Sequence, residues 1–291
     1  MRVVVCFCAL SGAALNCALG STHLSEQVLA CQIILRTATR SLFVGDRNFG
    51  VFRVVQAGRQ ARQEMLVRMT NLRAAKLLGK ALVPGDHGVS WKPTRHDQLE
   101  PGCSPQPIQG RLLVARLERP GFRSQLLCLF TSLNEAAQYP LEDLVKLYGL
   151  RWHIELNLRY LKAQMELVQL EVHSADMARK EWLAGLMAYN LIRAAMLCAA
   201  LHEQISPLTL SFSASRRRLE YWLRVLGRSR GEACACWQKL LEEISRCLLP
   251  RRRKPRPDEP RAQRHVREPY GPLIGSRAAA REKLQANTTK S

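Results

Sequence analysis

Three short apolar runs near the start of the chain constrain its fold more than any other feature of the sequence. The runs at residues 3–8 and 14–19 are separated by a Ser-Gly pair, so they predict two strands joined by a turn. The third run, residues 41–45, ends at Asp46. This pattern is typical of a central strand that delivers a carboxylate at its carboxyl end, so Asp46 is the first candidate functional residue.

Longer segments lie between and after these runs. Residues 25–38 have helical periodicity with Ser25 as a suitable N-cap, and residues 52–66 predict a basic helix that leads into a short strand. Residues 71–133 are rich in Gly and Pro and end in apolar runs, which predicts a loop-rich, strand-containing insertion. Residues 134–249 predict a series of helices.

Positive charge is the strongest signal in the composition. The 291 residues include 44 Lys and Arg against 24 Asp and Glu, a formal net charge of +20. Such a chain repels itself unless a polyanion or an acidic surface is its partner, so nucleic acid is the first candidate. Residues 250–291 hold 12 basic and 4 acidic residues and begin with a Pro-rich stretch, which predicts a disordered basic tail.

Two apolar stretches raise the question of a membrane or of export. Residues 3–19 follow an Arg as a secretory signal would, but Ser, Gly and Asn interrupt them, which favours the strand interpretation. Residues 183–201 are long enough to span a bilayer, but Asn190 and Arg193 near the middle would each cost several kcal/mol in lipid. A core helix is therefore predicted, and ten dispersed cysteines without a C-x2-C pair fit a reducing cytoplasm.

One helical segment collects polar side chains on a single face. Residues 140–170 have a helical pattern, and at about 100° per residue five of their side chains fall within an arc of about 80°. Taken alone, this face is also compatible with a solvated stripe of i,i+4 ion pairs. The five polar residues are Tyr148, Arg151, Glu155, Arg159 and Lys162, and a separate apolar stripe consists of Leu147, Leu150, Ile154, Leu158, Leu161 and Met165.

The spacing Tyr148-x2-Arg151-x3-Glu155-x6-Lys162 resembles the Y-x2-R-x3-E-x6-K signature of bacterial DDE transposases of the insertion-sequence-four family. The segment from Gly45 to Phe49 is similar to the one that carries the second catalytic Asp of that family. The likeness covers about residues 1–200 and implies a ribonuclease-H-like α/β fold, a mixed sheet flanked by helices. Residues 1–70 would then be the N-terminal part of this core, followed by the β-rich insertion and the helical C-terminal part.

The resemblance also implies a chemistry. Phosphodiester cleavage and strand transfer use two divalent cations, Mg²⁺ or Mn²⁺, about 4 Å apart and bound by oxygen ligands. By the resemblance, Asp46 and Glu155 are catalytic residues and metal ligands, and Tyr148, Arg151 and Lys162 bind DNA. It further implies double-stranded DNA, both transposon ends and target, as the partner, a dimer on that DNA, and a cytoplasmic, nucleoid-associated protein without a membrane.

The sequence departs from the family at its start. The family carries a first catalytic Asp on a strand before the hairpin, whereas here no Asp precedes Asp46 and the only earlier acid is Glu26. We therefore expect an N-terminally truncated copy or a misassigned start codon, and we expect this chain, without its first strand, to cleave DNA slowly or not at all. A DNA-binding transposase remnant without catalysis is the alternative left open.

Residues of the insertion provide two weaker candidates. Trp91 could stack on an unpaired base at a DNA end, as an aromatic residue of this region does in related transposases. A group of acids and histidines in the same stretch lacks fixed ligand spacing, so a solvated loop is the favoured interpretation. This group consists of Asp86, His87, His96 and Asp97.

Overall fold

In a computed structural model of the chain, the first two apolar runs form an antiparallel hairpin of β1 (Arg2–Phe7) and β2 (Ala14–Gly20), as predicted. The connecting turn passes through Gly12, whose φ of 73° lies in the left-handed region that glycine adopts without strain. The structure describes residues 1–117, 125–167, 172, 174–226, 233–250, 276 and 279. The predicted tail, residues 250–291, lies outside the described residues except for residues 250, 276 and 279.

The third apolar run forms β3 (Leu42–Gly45), the edge strand of a second, five-stranded sheet. β3 pairs in parallel with β4 (Glu64–Met69), and all other pairs of this sheet are antiparallel. Three of the five strands come from the stretch expected to be an insertion, so that stretch extends the sheet of β3 and β4. The strand order is β3-β4-β7-β6-β5, with β5 at Gly85–Trp91, β6 at Ile108–Leu117 and β7 at Gln125–Thr131.

Helices cover both faces of the five-stranded sheet. Alternate residues of β4 point to opposite faces, so Val67 joins a core beneath α2 (Phe52–Gln60) while Leu66 joins a core beneath α5 (Leu141–Gly149). The predicted fold class, a mixed α/β sheet flanked by helices, is confirmed. Two short helices complete this part of the chain, α3 at Asn71–Leu78 and α4 at Arg95–Gln98.

Helix α1 (Glu26–Arg36) lies against β1, β2 and α2, so it underlies the hairpin and also approaches the second sheet. It begins where the sequence predicts, because the Ser25 hydroxyl accepts a hydrogen bond of 3.3 Å from the Val28 amide. The next helix, α2, ends at Gln60, earlier than the predicted residue 66. Residues from Glu64 onward are drawn into β4 by pairing with β3 and β7.

The helical pattern predicted over residues 140–170 is found, but as separate segments and not as one continuous helix, and residues 168–170 lie outside the described part of the chain. After α5 the chain tightens at Leu150 and Arg151, whose amides donate i to i−3 hydrogen bonds of 3.0 Å, before α6 (Trp152–Arg159) begins. A π-helical turn (Tyr160–Gln164) follows α6 directly. Gly149 lowers helix propensity at the first break by about 1 kcal/mol relative to alanine, and tertiary contacts described below fix the second segment.

The C-terminal helices form a third core with the outer face of the hairpin. Residues 183–201 lie within α7 (Ala175–His202), the one helix found in the described part of the chain that is long and apolar enough to cross a bilayer. In this fold, however, Asn190 pairs with the backbone N and O of Ala14 at 2.8 Å, and Arg193 is buried. The core-helix interpretation is confirmed, and α8 (Phe212–Leu226) and α9 (Ala233–Ser245) pack beside α7.

Candidate active site

Asp46 lies in a tight turn at the carboxyl end of β3. Its Oδ1 accepts a hydrogen bond of 2.8 Å from the Asn48 amide, and its carbonyl oxygen accepts from the Phe49 and Gly50 amides at 3.1 and 3.2 Å. The turn needs glycine at position 50, because a Cβ there would collide with the backbone carbonyl of Arg68 on β4. The local sequence therefore fixes the Asp46 carboxylate next to the second strand of the sheet.

Glu155 lies on the first turn of α6 and is partly exposed. Arg151 donates a hydrogen bond of 2.9 Å from Nη2 to Glu155 Oε1. The guanidinium of Arg151 also lies 5.9 Å from the centre of the Tyr148 ring. The tightened backbone between α5 and α6 explains this proximity, because side chains three residues apart eclipse each other when the hydrogen bonds are i to i−3.

Arg151 connects the two predicted carboxylates. Burial lowers its pKa, but the hydrogen bond to Glu155 and the negative charges of Glu155 and Asp46 outweigh burial and raise the pKa above its usual value. Asp46 also acts electrostatically on Tyr148. Asp46 and Glu155, 109 positions apart in sequence, therefore both act electrostatically on Arg151, while Glu155 and Tyr148 also contact its guanidinium.

Tyr148 forms the buried wall of this site. It is 8% exposed, and burial raises the pKa of its phenol above the usual value of 10.0, while the charges of Arg151 and Arg68 partly oppose that shift. The phenol is therefore a neutral hydrogen-bond donor at physiological pH. The Arg68 charge acts on the Tyr148 phenol, so Arg68 borders this group of side chains.

Arg68 is the site residue that sequence reasoning missed. It occupies an alternate position to Val67 on β4, and therefore shares with Leu66 the face that α5 covers. A single Arg inside an otherwise apolar strand was the available signal. It was missed because the sequence pattern placed a helix over residues 52–66 and left the strand too short to have a face.

Lys162 and Arg159 lie on exposed positions beyond this group. The predicted continuous face ends at the π-helical turn, where an i to i−5 pattern rotates Lys162 relative to an ideal α-helix. Within the described ranges, Lys162 has no hydrogen bond or ion pair to Asp46, Tyr148, Arg151 or Glu155. Asn157 is buried within this segment, on a face where the apolar stripe predicted only hydrophobic side chains.

The donor set at this site fits a divalent cation in part. Asp46 and Glu155 offer the hard carboxylate oxygens that Mg²⁺ and Mn²⁺ prefer. No group of three or more His, Cys, Asp or Glu side chains close enough to hold an ion occurs among the residues that the structure describes. Asp46 and Glu155 are therefore the candidate ligands for an ion here, and the described residues do not add a third carboxylate to them.

The weaker candidates of the insertion do not form a site. Trp91 is buried and packs edge-on against Phe52 and Phe130, with ring centroids 6.0 and 5.0 Å apart. The prediction that Trp91 stacks on a DNA base is wrong, because the ring is buried in the core. The Gly and Pro content predicted an exposed loop at this position, whereas Trp91 belongs to strand β5. Asp86 instead pairs with buried Arg111, and Asp97 caps α4 through Thr94.

The fold and the site together define an α/β domain in which one carboxylate follows the edge strand of a mixed sheet and a second lies on α6. The sequence profile of the Transposase DDE domain family matches residues 1–191, which is more than half of the chain, and the chain belongs to this family. The resemblance inferred from the sequence is thereby confirmed. A DDE domain implies a divalent metal, usually Mg²⁺, and a protein expected in the cytoplasm.

A curated relative extends the match. Transposase InsG for insertion sequence element IS4, from Escherichia coli strain K12, is 29% identical over 247 residues, which covers 81% of this chain and 54% of the relative. The chain therefore spans about half the length of the relative that it matches.

Proposed function

We propose that the chain acts in DNA transposition, through metal-dependent DNA end cleavage and strand transfer. The observation that carries this proposal is that the Asp46 and Glu155 carboxylates both act electrostatically on the Arg151 guanidinium, which also donates a hydrogen bond of 2.9 Å to Glu155. Family membership supports the reaction class. The metal would be Mg²⁺ or Mn²⁺, held by Asp46 and Glu155.

The residues around the carboxylates suit a phosphodiester substrate. When bound, the cation would polarise a phosphate oxygen and lower the charge that repels a nucleophile. Asp46 is held by its turn and needs little reorganisation, whereas Glu155 must share its oxygens between the cation and Arg151. Tyr148 keeps its proton and donates to a phosphate oxygen, and Arg151 adds a fixed planar charge.

Double-stranded DNA is the proposed partner, at both transposon ends and target. The net charge of +20 supplies long-range attraction, and Tyr148, Arg151 and Lys162 are the proposed phosphate contacts at the transposon end. Phosphate contacts position a duplex but carry no sequence information. We further propose that the chain binds as a dimer and associates with the nucleoid.

A non-catalytic DNA-binding remnant is the second candidate function. One observation favours it, namely that the described residues include no group of three or more His, Cys, Asp or Glu side chains that could hold a metal ion. Such a chain would bind DNA with strong salt dependence and leave the strands intact at any Mg²⁺ or Mn²⁺ concentration.

Two measurements separate these functions. Mn²⁺ binding, followed by electron paramagnetic resonance, should be lost in both Asp46→Asn and Glu155→Gln, while the matched exposed variant Glu203→Gln binds as the parent does. Nicking of a plasmid that carries the flanking element ends should fall to background in the same two variants, with DNA binding retained. Parent-like nicking by Glu155→Gln refutes the metal role, and DNA binding without nicking by the parent establishes the remnant.

A further inference from the structure

Helix α7 buries one face and exposes an apolar stripe on the other. The buried face, which includes Trp182, Tyr189 and Met196, belongs to the third core. Every exposed residue of α7 between positions 183 and 201 is also apolar, although the chain carries a net charge of +20. These residues, called the α7 stripe below, are Leu183, Ala184, Met187, Ala188, Leu191, Ala194, Cys198 and Leu201. Since Met187 is 73% exposed and Leu201 is 69% exposed, the stripe is an interaction surface and not an ordinary solvated face.

The spacing along the stripe is that of a seam between two helices. Positions 184, 187, 191, 194, 198 and 201 are separated by alternate steps of three and four residues, as the a and d positions of a heptad are. At 1.5 Å per residue this seam is about 25 Å long, so a second helix can lie along it. DNA does not suit the seam, because none of these six side chains is basic and phosphates bind to positive charge.

The side-chain volumes favour a second copy of this chain, in antiparallel orientation, as the occupant of the seam. If a two-fold axis passes between positions 192 and 193, each large side chain of one copy faces a small side chain of the other. The facing pairs are Leu201 with Ala184, Met187 with Cys198, and Leu191 with Ala194. Alternation of large and small side chains across facing positions lets two surfaces pack without voids. A parallel pair would place each residue against itself, so layers of two Ala would alternate with layers of two Leu or two Met.

We infer that two copies of the chain pair through their α7 stripes as antiparallel helices. Such an interface is isologous, since the same surface serves both copies. It needs no DNA, so it does not rest on the proposed function, in which the dimer forms on DNA. Its salt dependence is also opposite to that of DNA binding. Two chains of charge +20 repel each other and salt screens that repulsion, so pairing strengthens with salt, whereas DNA binding weakens.

Disulfide cross-linking of the full chain, cleared of nucleic acid, tests the orientation. In the antiparallel pair, the two copies of Cys198 are about 16 Å apart along the helix axis, too far for a disulfide. Met187→Cys places a new thiol opposite Cys198 of the second copy, so mild oxidation should cross-link most of the protein as dimers. The control that combines Met187→Cys with Cys198→Ser should not cross-link above the parent. A dimer that forms in the parent and is lost in Cys198→Ser alone indicates parallel helices and overturns the inference.

Sedimentation equilibrium without DNA tests whether the pair forms through this surface. The parent should dimerise, and Met187→Lys should weaken dimerisation at least tenfold, because it places two charges in the seam. The matched control is Leu223→Lys, which changes an exposed Leu of α8 and should dimerise as the parent does. Pairing also covers Cys198, so its labelling by maleimide should slow as the protein concentration rises.

Three results of the sedimentation experiment overturn the inference. The first is a parent that stays monomeric up to about 100 μM, and the second is equal dimerisation by the parent and Met187→Lys. The third is a monomeric parent that co-sediments with phosphatidylcholine vesicles when Met187→Lys does not, which would assign the stripe to a membrane surface. A dimer that appears only when DNA is added belongs to the proposed function and likewise contradicts pairing through α7.

Discussion

Arg193 is the buried group whose removal we expect to cost most. Its side chain on α7 is 3% exposed, and its hydrogen bonds run to neutral partners: Nε donates to the Tyr189 hydroxyl at 2.9 Å and Nη2 donates to Asn157 Oδ1 at 2.5 Å. The guanidinium also lies 5.1–5.4 Å from three ring centroids, those of Tyr160, Tyr189 and Phe212. One side chain thus connects α6, the π-helical turn, α7 and α8.

The magnitude follows from these contacts. Two hydrogen bonds from a charged donor are worth about 1.5–3 kcal/mol each, and the cation–π contacts add to them, while removal of the charge releases part of its desolvation cost. Arg193→Ala also leaves Asn157 buried with one partner fewer. We therefore expect the free energy of unfolding to fall by about 3–5 kcal/mol.

Urea unfolding followed by circular dichroism measures this loss. With an m-value of about 2–3 kcal/mol per M, the midpoint should fall by about 1–2 M. Arg193→Lys keeps the charge and loses the planar fork, so it should fall between the parent and Arg193→Ala. The exposed Arg224→Ala on α8 is the matched control and should change stability by less than about 0.5 kcal/mol. Equal midpoints for Arg193→Ala and Arg224→Ala would show that the buried contacts of Arg193 do not stabilise the fold.

Gly50→Ala should destabilise the chain by more than about 1 kcal/mol in thermal unfolding, because its Cβ meets the Arg68 carbonyl; an unchanged melting temperature would show that the turn can shift. Tyr148→Phe should fold normally yet bind duplex DNA more weakly by fluorescence anisotropy, and equal affinity would exclude a phenol contact. Burial raises the pKa of Cys6 from 9.0 to about 11, so at pH 8 maleimide should label exposed Cys198 first, as mass spectrometry can show. Because the Cys6 thiol ionises at a lower pH in the unfolded chain than in the folded one, its contribution to the free energy of unfolding is complete below pH 9 and is lost as the pH rises toward 11. Urea unfolding should detect this loss in the parent and not in Cys6→Ala.

Local signals made the first part of the fold predictable. The hairpin, the Ser25 cap and the strand that ends at Asp46 each depend on side chains within a few residues of the element they define. The motif that includes Glu155 was also visible, because its spacing is a property of the sequence. Those local signals do not show which distant strand or helix each element packs against.

Elements that depend on distant partners were misjudged. β5 contains Gly85, Asp86 and His87, which resemble a loop, and it is a strand because β6 pairs along its whole length. In the same way, Asn157 is buried because Arg193, 36 positions away in sequence, donates to it. Neither contact produces a periodic pattern of apolar residues in the sequence. Tertiary structure therefore overrides the local sequence pattern at both places.

The position of Asp46 directly after the shortest strand of the five-stranded sheet has a thermodynamic consequence. β3 holds four residues and is paired on one side, so local fraying of this strand costs little free energy compared with global unfolding. Each fraying event carries the carboxylate away from its counterpart on α6. For the ion proposed to bind Asp46 and Glu155, the apparent dissociation constant would be the intrinsic constant divided by the fraction of molecules with β3 docked. Whatever immobilises that strand would therefore tighten binding of the ion.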